Sequence, residues 1–287
     1  MPSLVKFMDE GTSSPFIARL FLSIMKMRDQ VYLLGKENKG QLKDSFDQKF
    51  SPIFSSSIAS RDAARKTISL IEDHSKAILD GRVVEFSSNQ TVVVNETIDI
   101  ELGQAIDAFL DQSLISIKSC LQKMLREEFN LDIGFLFQKD QIFNKGLSSM
   151  RQNEGNELSN YLESVRTIWL SKFIDLRNDH EHHGLSLEKL DYLPLSNGGL
   201  LVKLPNILDL PINQFTKIYG NRILLFIENM MVYALFRGKE DSFSIYIYEI
   251  PNEKRNPSFP ERFRFVPTGL QDLPKWKIDY FECDDFI

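Results

Sequence analysis

The chain has 287 residues, of which 43% are hydrophobic and 26% charged, and its formal charge is −6. That composition excludes a disordered or low-complexity chain, and it excludes a protein that coats nucleic acid through bulk positive charge, while leaving a local basic cleft open. Two cysteines, Cys120 and Cys283, exclude a disulfide framework and a zinc site built mainly from thiolates.

The opening stretch Met1–Gly11 carries Asp9 and Glu10 and no long apolar run, so a secretory signal is not expected there. A helix is predicted from Pro15 to about Leu34, with Thr12, Ser13 and Ser14 as N-cap candidates and Gly35 as its stop. Lys36–Ser57 is rich in Lys, Ser and Gln and reads as a loop. Ser60–Asp80 returns to helical spacing at Ala64, Ile68, Ile71 and Ile78 and stops at Gly81. Val83–Phe86 and Val92–Val94 flank Ser87–Gln90 and read as a hairpin. Thr97 to about Phe129 is a long helix, and a further helical segment is predicted around Asp140–Met150. Glu157–His183 carries Leu158, Leu162, Val165, Trp169, Phe173 and Leu176 at steps of three and four, which is a core-facing stripe. Gly184–Leu210 reads as a loop, and Pro211 to about Phe236 as another helix. Within that helix Ile223–Phe236 is the longest apolar stretch, but Glu228 and Asn229 interrupt it, so it is too short and too polar to span a bilayer. Ser242–Ile250 alternates like a strand, with Arg262–Val266 as its expected partner.

These elements predict a mainly α fold, a helical bundle with a small inserted β-hairpin and a small C-terminal β appendage. Three segments are expected: 1–130, helical with the hairpin; 131–240, the helical core; and 241–287, the β-rich appendage. They could equally form one compact domain. The expected setting is the reducing cytoplasm, without a membrane.

Three of the four histidines fall in Leu176-Arg177-Asn178-Asp179-His180-Glu181-His182-His183-Gly184. At about 100° per residue, His180 and His183 continue the Trp169–Phe173–Leu176 stripe, so they are candidates for packing. Arg177, Asn178, Glu181 and His182 continue a second stripe from Leu170 and Ile174, with Asn178 and His182 at i, i+4. Three readings stay open. The run is a solvated helix end capped by Gly184. It is a metal site using Asp179, His180, Glu181, His182 or His183, although the two-residue gap of the zinc-protease helix motif is missing. Or it is a phosphodiester toolkit, in which His182 moves a proton near neutral pH, Arg177 offers a fixed cationic fork and Asn178 orients water, ribose or the histidine. Lys172, Arg177 and Lys189 would then make the cleft locally positive.

Arg177-Asn178-Asp179-His180-Glu181-His182 resembles the R-polar-x-x-x-H motif of the HEPN superfamily of helical domains. The similarity extends over roughly residues 133–237. It takes in Phe137, Asp140, Phe143, Gly146 and Leu147, then Tyr161-Leu162 and Arg166. It continues through Trp169-Leu170-x-x-Phe173-x-x-Leu176-Arg177-Asn178-x-x-Glu181-His182-x-Gly184, Asp191-Tyr192, and Asn221 to Glu228. The resemblance implies a homodimer with facing motif helices and metal-independent RNA cleavage that leaves a 2′,3′-cyclic phosphate, with no cofactor. By motif position, Arg177 stabilises the phosphate, His182 transfers the proton and Asn178 orients. Such domains serve as toxins or antiviral defence effectors, so a regulatory or antitoxin partner is implied. Gly184 stands where the branch paired with nucleotidyltransferase antitoxins carries a tyrosine. The alternative within the family is a non-catalytic RNA- or nucleotide-binding module.

Overall fold

The structure is a computed structural model and describes residues 11–34, 39–86, 92–94, 97–183, 187–195, 199–237, 245–267, 276–280 and 285–286. Six helices carry the described fold: α1 (15–34), α2 (Lys39–Leu79), α3 (98–129), α4 (Asp140–Glu154), α5 (156–183) and α6 (Ile212–Arg237). Four two-stranded antiparallel sheets lie between and after them. The fold is therefore mainly α with small β elements, as the periodicities predict. The predicted stops at Gly35 and Gly184, the turn at 87–90 and the strand start at 242–244 lie outside the described residues.

The start of α1 follows its sequence in part. Ser14 occupies the N-cap with Pro15 in the first turn, but the Ser14 hydroxyl makes no capping bond; it accepts instead from the Arg61 guanidinium at 3.4 Å. The next element departs from expectation. The stretch read as a polar loop, Lys36–Ser57, is helical from Lys39 onward, so α2 begins well before Ser60. The cause lies in Phe46, Phe50, Ile53 and Phe54, which recur at helical spacing and are all buried. Their rings stack in series, with Phe46–Phe50 centroids at 5.7 Å and Phe50–Phe54 at 6.4 Å. That burial outweighs the polar face and the interior Pro52.

The predicted hairpin forms: β1 (Val84–Phe86) pairs with β2 (Val92–Val94), Val84 opposite Val94. α3 then runs back along α2. Pairs of buried serines, Ser57–Ser116 at 2.8 Å and Ser60–Ser113 at 2.6 Å, hydrogen-bond across the contact, where short side chains let the two helices approach. α3 ends at Asn130, whose left-handed backbone (φ 49°) turns the chain into a 3₁₀ turn, Gly134–Phe137. Gly155 separates α4 from α5.

The described part of Gly184–Leu210, expected as a loop, holds two short hairpins. β3 (Asp191–Pro194) pairs with β4 (Leu200–Lys203), and β5 (Asn206–Ile207) pairs with β6 (Leu210–Pro211). The prolines there sit at strand ends, where a missing N–H costs little, so they punctuate the pairing without forbidding it. β7 (Ile245–Glu249) and β8 (Phe263–Pro267) pair as predicted, Ile247 opposite Phe265.

One apolar cluster runs from Phe16 to Phe286 and draws on all three expected segments. Its centre is aromatic. Trp169 and Phe173 of α5 meet Tyr219 and Phe226 of α6, and Phe109 of α3 meets Phe173 at 6.3 Å and Phe286 at 6.5 Å, edge to face. Phe286 lies on Gly220, where any Cβ would run into its ring. Asn221 Oδ1 accepts the backbone N–H groups of Asp285 and Phe286, both at 2.8 Å, and the Arg61 guanidinium donates to the Phe286 carbonyl. Among the described residues no helix is long and apolar enough to cross a membrane.

Candidate functional site

The end of α5 lies antiparallel against α3, as three contacts in register show. Arg177 Nε meets Asp111 Oδ1 at 3.3 Å, His180 Nε2 stands 3.1 Å from Asp107 Oδ1, and further along the Leu190 N–H donates to Asp99 Oδ1 at 2.9 Å. The aromatic core sets this alignment: Phe109, between Asp107 and Asp111 in sequence, packs on Phe173, one turn before Arg177.

The helical phase separates His180 from His182 as the sequence predicts. His180 lies at the α3 boundary, its side chain 17% exposed. Its Nδ1 is buried and, among the described residues, has no hydrogen-bond partner. His180 and Asp107 are close, but their approach is off the hydrogen-bonding line, so Asp107 Oδ1 also lacks a well-directed donor. Burial pushes the Asp107 carboxyl above the usual carboxylate range; His180 opposes that shift and Asp111 adds to it. The side chain of His183 lies outside the described residues.

On the outward side, Asn178, Glu181 and His182 are exposed and Arg177 is half-buried. The three predicted site residues, Arg177, Asn178 and His182, thus share one open face at the end of α5. The Arg177 guanidinium is not bare. It bridges Asp111 of α3 and Glu181 one turn along its own helix. The expected local positive charge at Arg177 is met by carboxylates, whereas Lys172 and Lys189 are exposed. Among the described residues no group of three or more His, Cys, Asp or Glu side chains stands close enough to hold a metal ion.

Sequence reasoning missed Asp107 and Asp111. Their signal was present: two carboxylates at i, i+4 on α3, beside the Ile106–Phe109–Leu110 stripe, mark a flank suited to a cationic neighbour.

Other residues quoted for the resemblance have packing duties. Arg166 donates to the carbonyls of Leu136 (2.9 Å) and Gln138 (3.0 Å), reaches Asp140 at 3.4 Å and lies over the Phe143 ring at 5.5 Å, so it ties the 3₁₀ turn to α4 and α5. Tyr192 meets the buried His74 across 2.9 Å, pinning β3 to α2. Tyr161 lies under α6, where the Asn229 amide donates to its hydroxyl at 3.3 Å. No protein-family model, curated protein or solved structure matches this chain.

Proposed function

We propose that the chain is a metal-independent endoribonuclease of HEPN type, acting as a symmetric homodimer. The observation that carries this reading is the grouping of Arg177, Asn178 and His182 on one open face at the end of a helix whose other side is locked into the core. In the proposed reaction the RNA 2′-oxygen attacks the adjoining phosphorus. The new O2′–P bond forms as the P–O5′ bond breaks, leaving a 2′,3′-cyclic phosphate and a 5′-hydroxyl. His182 accepts the 2′-hydroxyl proton, and His182 of the partner subunit delivers one to the leaving oxygen. Arg177 steadies the charge on phosphorus once the exposed Glu181 has given way to the phosphate, and Asn178 orients the ribose. The same open face suits a toxin or antiviral effector, whose activity a regulatory or antitoxin partner would cover.

Purified protein is expected to cleave mixed RNA in EDTA and leave cyclic-phosphate ends, and His182→Ala should lower the rate by about 10²–10⁴-fold. Cleavage that vanishes in EDTA, or survives His182→Ala, sinks the mechanism. The carboxylates on Arg177 favour a second reading, a module that binds RNA or nucleotide without cutting it. That reading is recognised by binding without cyclic-phosphate ends and by an affinity that His182→Ala leaves alone.

One Arg and one His per chain make a sparse site, and a twofold axis doubles both. Sedimentation at micromolar concentration should give the dimer mass, and RNA capture should weaken as salt rises. A monomer with full activity at that concentration refutes the shared cleft.

A further inference from the structure

A cleft of about 700 Å³ lies between the far half of α3, the 3₁₀ turn and α4. Its volume falls within the roughly 300–1,000 Å³ usual for ligand clefts. The floor is apolar, made by Leu131, Phe137 and Met150, all buried. One wall is the half-buried Phe135. Gly146 of α4 makes room for that ring, since a Cβ at this position would run into Phe135 Cβ and Cγ. Phe135 thus packs closely on α4 at Gly146 and tilts toward the Phe143 ring, their centroids 6.0 Å apart. Gly134 does the same for Gln122, whose amide nitrogen would stand 2.5 Å from a Cβ there.

The rim is set with carboxamides: Gln122, Asn130, Gln138 and Asn153. Among the described residues only that of Asn153 is tied, by a 3.4 Å bond to Ser149. Lys118 is the cation on the lining. The two acids there are already engaged. Asp132 accepts the Gly134 N–H at 2.7 Å, and Glu154 pairs with Arg237 at 2.6 Å.

We infer that this cleft binds an unpaired nucleotide, base and adjoining phosphate together. Carboxamides carry a donor and an acceptor side by side, which is the pattern that pairs with a base edge. An aromatic ring over an apolar floor accepts the face of a base, and stacking of this kind is worth roughly 1–3 kcal/mol per base. Lys118 supplies the phosphate contact. Lys118 lies two turns beyond Asp111 on α3, roughly 10 Å of helix rise. A single strand crossing the Arg177–His182 face could therefore place a neighbouring nucleotide here. That extension rests on the proposed ribonuclease reading; the cleft's own chemistry does not.

The test uses the full chain and a fluorescent 2′-O-methyl RNA hexamer, which has no free 2′-hydroxyl and cannot be cut by the proposed route. Parallel arms use a DNA hexamer and AMP, with a maltohexaose competitor. Binding is expected to weaken about tenfold in Gln122→Ala and Asn153→Ala. Lys118→Ala should reduce the slope of log affinity against log salt by about 0.7. Circular dichroism melts confirm that the variants fold, and Lys118 and Asn153 are exposed, so their replacement spares the core. Binding by DNA or AMP with the same variant pattern supports the site and assigns it to nucleotide rather than to ribose. No binding, binding indifferent to all three variants, or displacement by maltohexaose overturns it. Binding that persists in a protein with no RNA cleavage refutes the ribonuclease reading alone; cleavage without cleft-dependent binding refutes this inference alone.

Discussion

His180 and His182 are two residues apart on the same helix end, yet they meet different surroundings. His180 rests against Asp107 of α3 and is largely covered, whereas His182 is exposed. His180→Ala removes a largely covered side chain at the α3 boundary, so it should lower stability by about 1 kcal/mol. His182→Ala, at an exposed position, should change stability by no more than about 0.5 kcal/mol while removing RNA cleavage. Thermal melts read beside an RNase assay separate the two. Loss of cleavage in His180→Ala with an unchanged melting point would move the proton-transfer role to the His180–Asp107 pair. Arg177 shows why residue type alone does not define a site. The sequence marks it as a cation on an open face, and the fold adds two carboxylates, Asp111 and Glu181, that share its guanidinium.

At the scale of elements, α2 depends on its phenylalanine ladder. Phe50 is 1% exposed and stacks with Phe46 and Phe54. Phe50→Ala should cost about 3–5 kcal/mol, measured by denaturant unfolding, against little for an exposed neighbour such as Gln48. A small loss would mean that the first half of α2 is held by something other than this ladder. The same helix marks where sequence reading succeeds and fails. The second half of α2, and α3, α5 and α6, were legible because apolar residues at steps of three and four leave little choice of face. The first half was not, because Lys, Ser and Gln dominate its composition and the four apolar positions carry the signal by spacing alone. The hairpins at β3–β4 and β5–β6 were hidden for a related reason. Strands of two to four residues are too short to show alternation, and they exist through tertiary contacts such as Tyr192 on His74 and Leu190 on Asp99. The outward face at Arg177, Asn178 and His182 was legible from helical phase. Its α3 partners were not, because which helices neighbour each other is not written in periodicity.

For the molecule as a whole, segments far apart in sequence meet at Glu228. This fully buried carboxylate of α6 is gripped by Arg19 of α1 and by Arg262 next to β8, at 3.0 Å for the latter. Arg19 also holds Asp285 at 2.6 Å. Burial pushes the Glu228 carboxyl up, but Arg19 and Arg262 reverse that and hold it below the ordinary carboxylate range. A folded-state value below the unfolded one makes Glu228 stabilising above the ordinary carboxylate pKa, and that stability is lost as pH falls through the carboxylate range. The melting temperature should therefore fall on acidification below about pH 4.5. Glu228→Gln should be less stable at neutral pH by about 3–5 kcal/mol, because two buried arginines lose the counter-charge they share and keep only the outer carboxylates Asp285 and Glu249, and its melting temperature should depend less on acid. An unchanged acid slope in Glu228→Gln would refute this role.

The seating of Asp285 and Phe286 also has a consequence in time. Arg19 and Asp285 are 266 residues apart in sequence and meet at the same junction as Phe16, Phe109 and Gly220. A chain emerging from the ribosome holds α1, α3 and α6 long before it holds their shared wedge, and the entropy of closing so long a loop must be met before the contact returns anything. Until Phe286 emerges, Phe109 lacks one of its edge contacts, and Phe109 packs on Phe173, one turn before Arg177. The end of α5 at Arg177 and His182 thus gains part of its backing only once Phe286 has been synthesised.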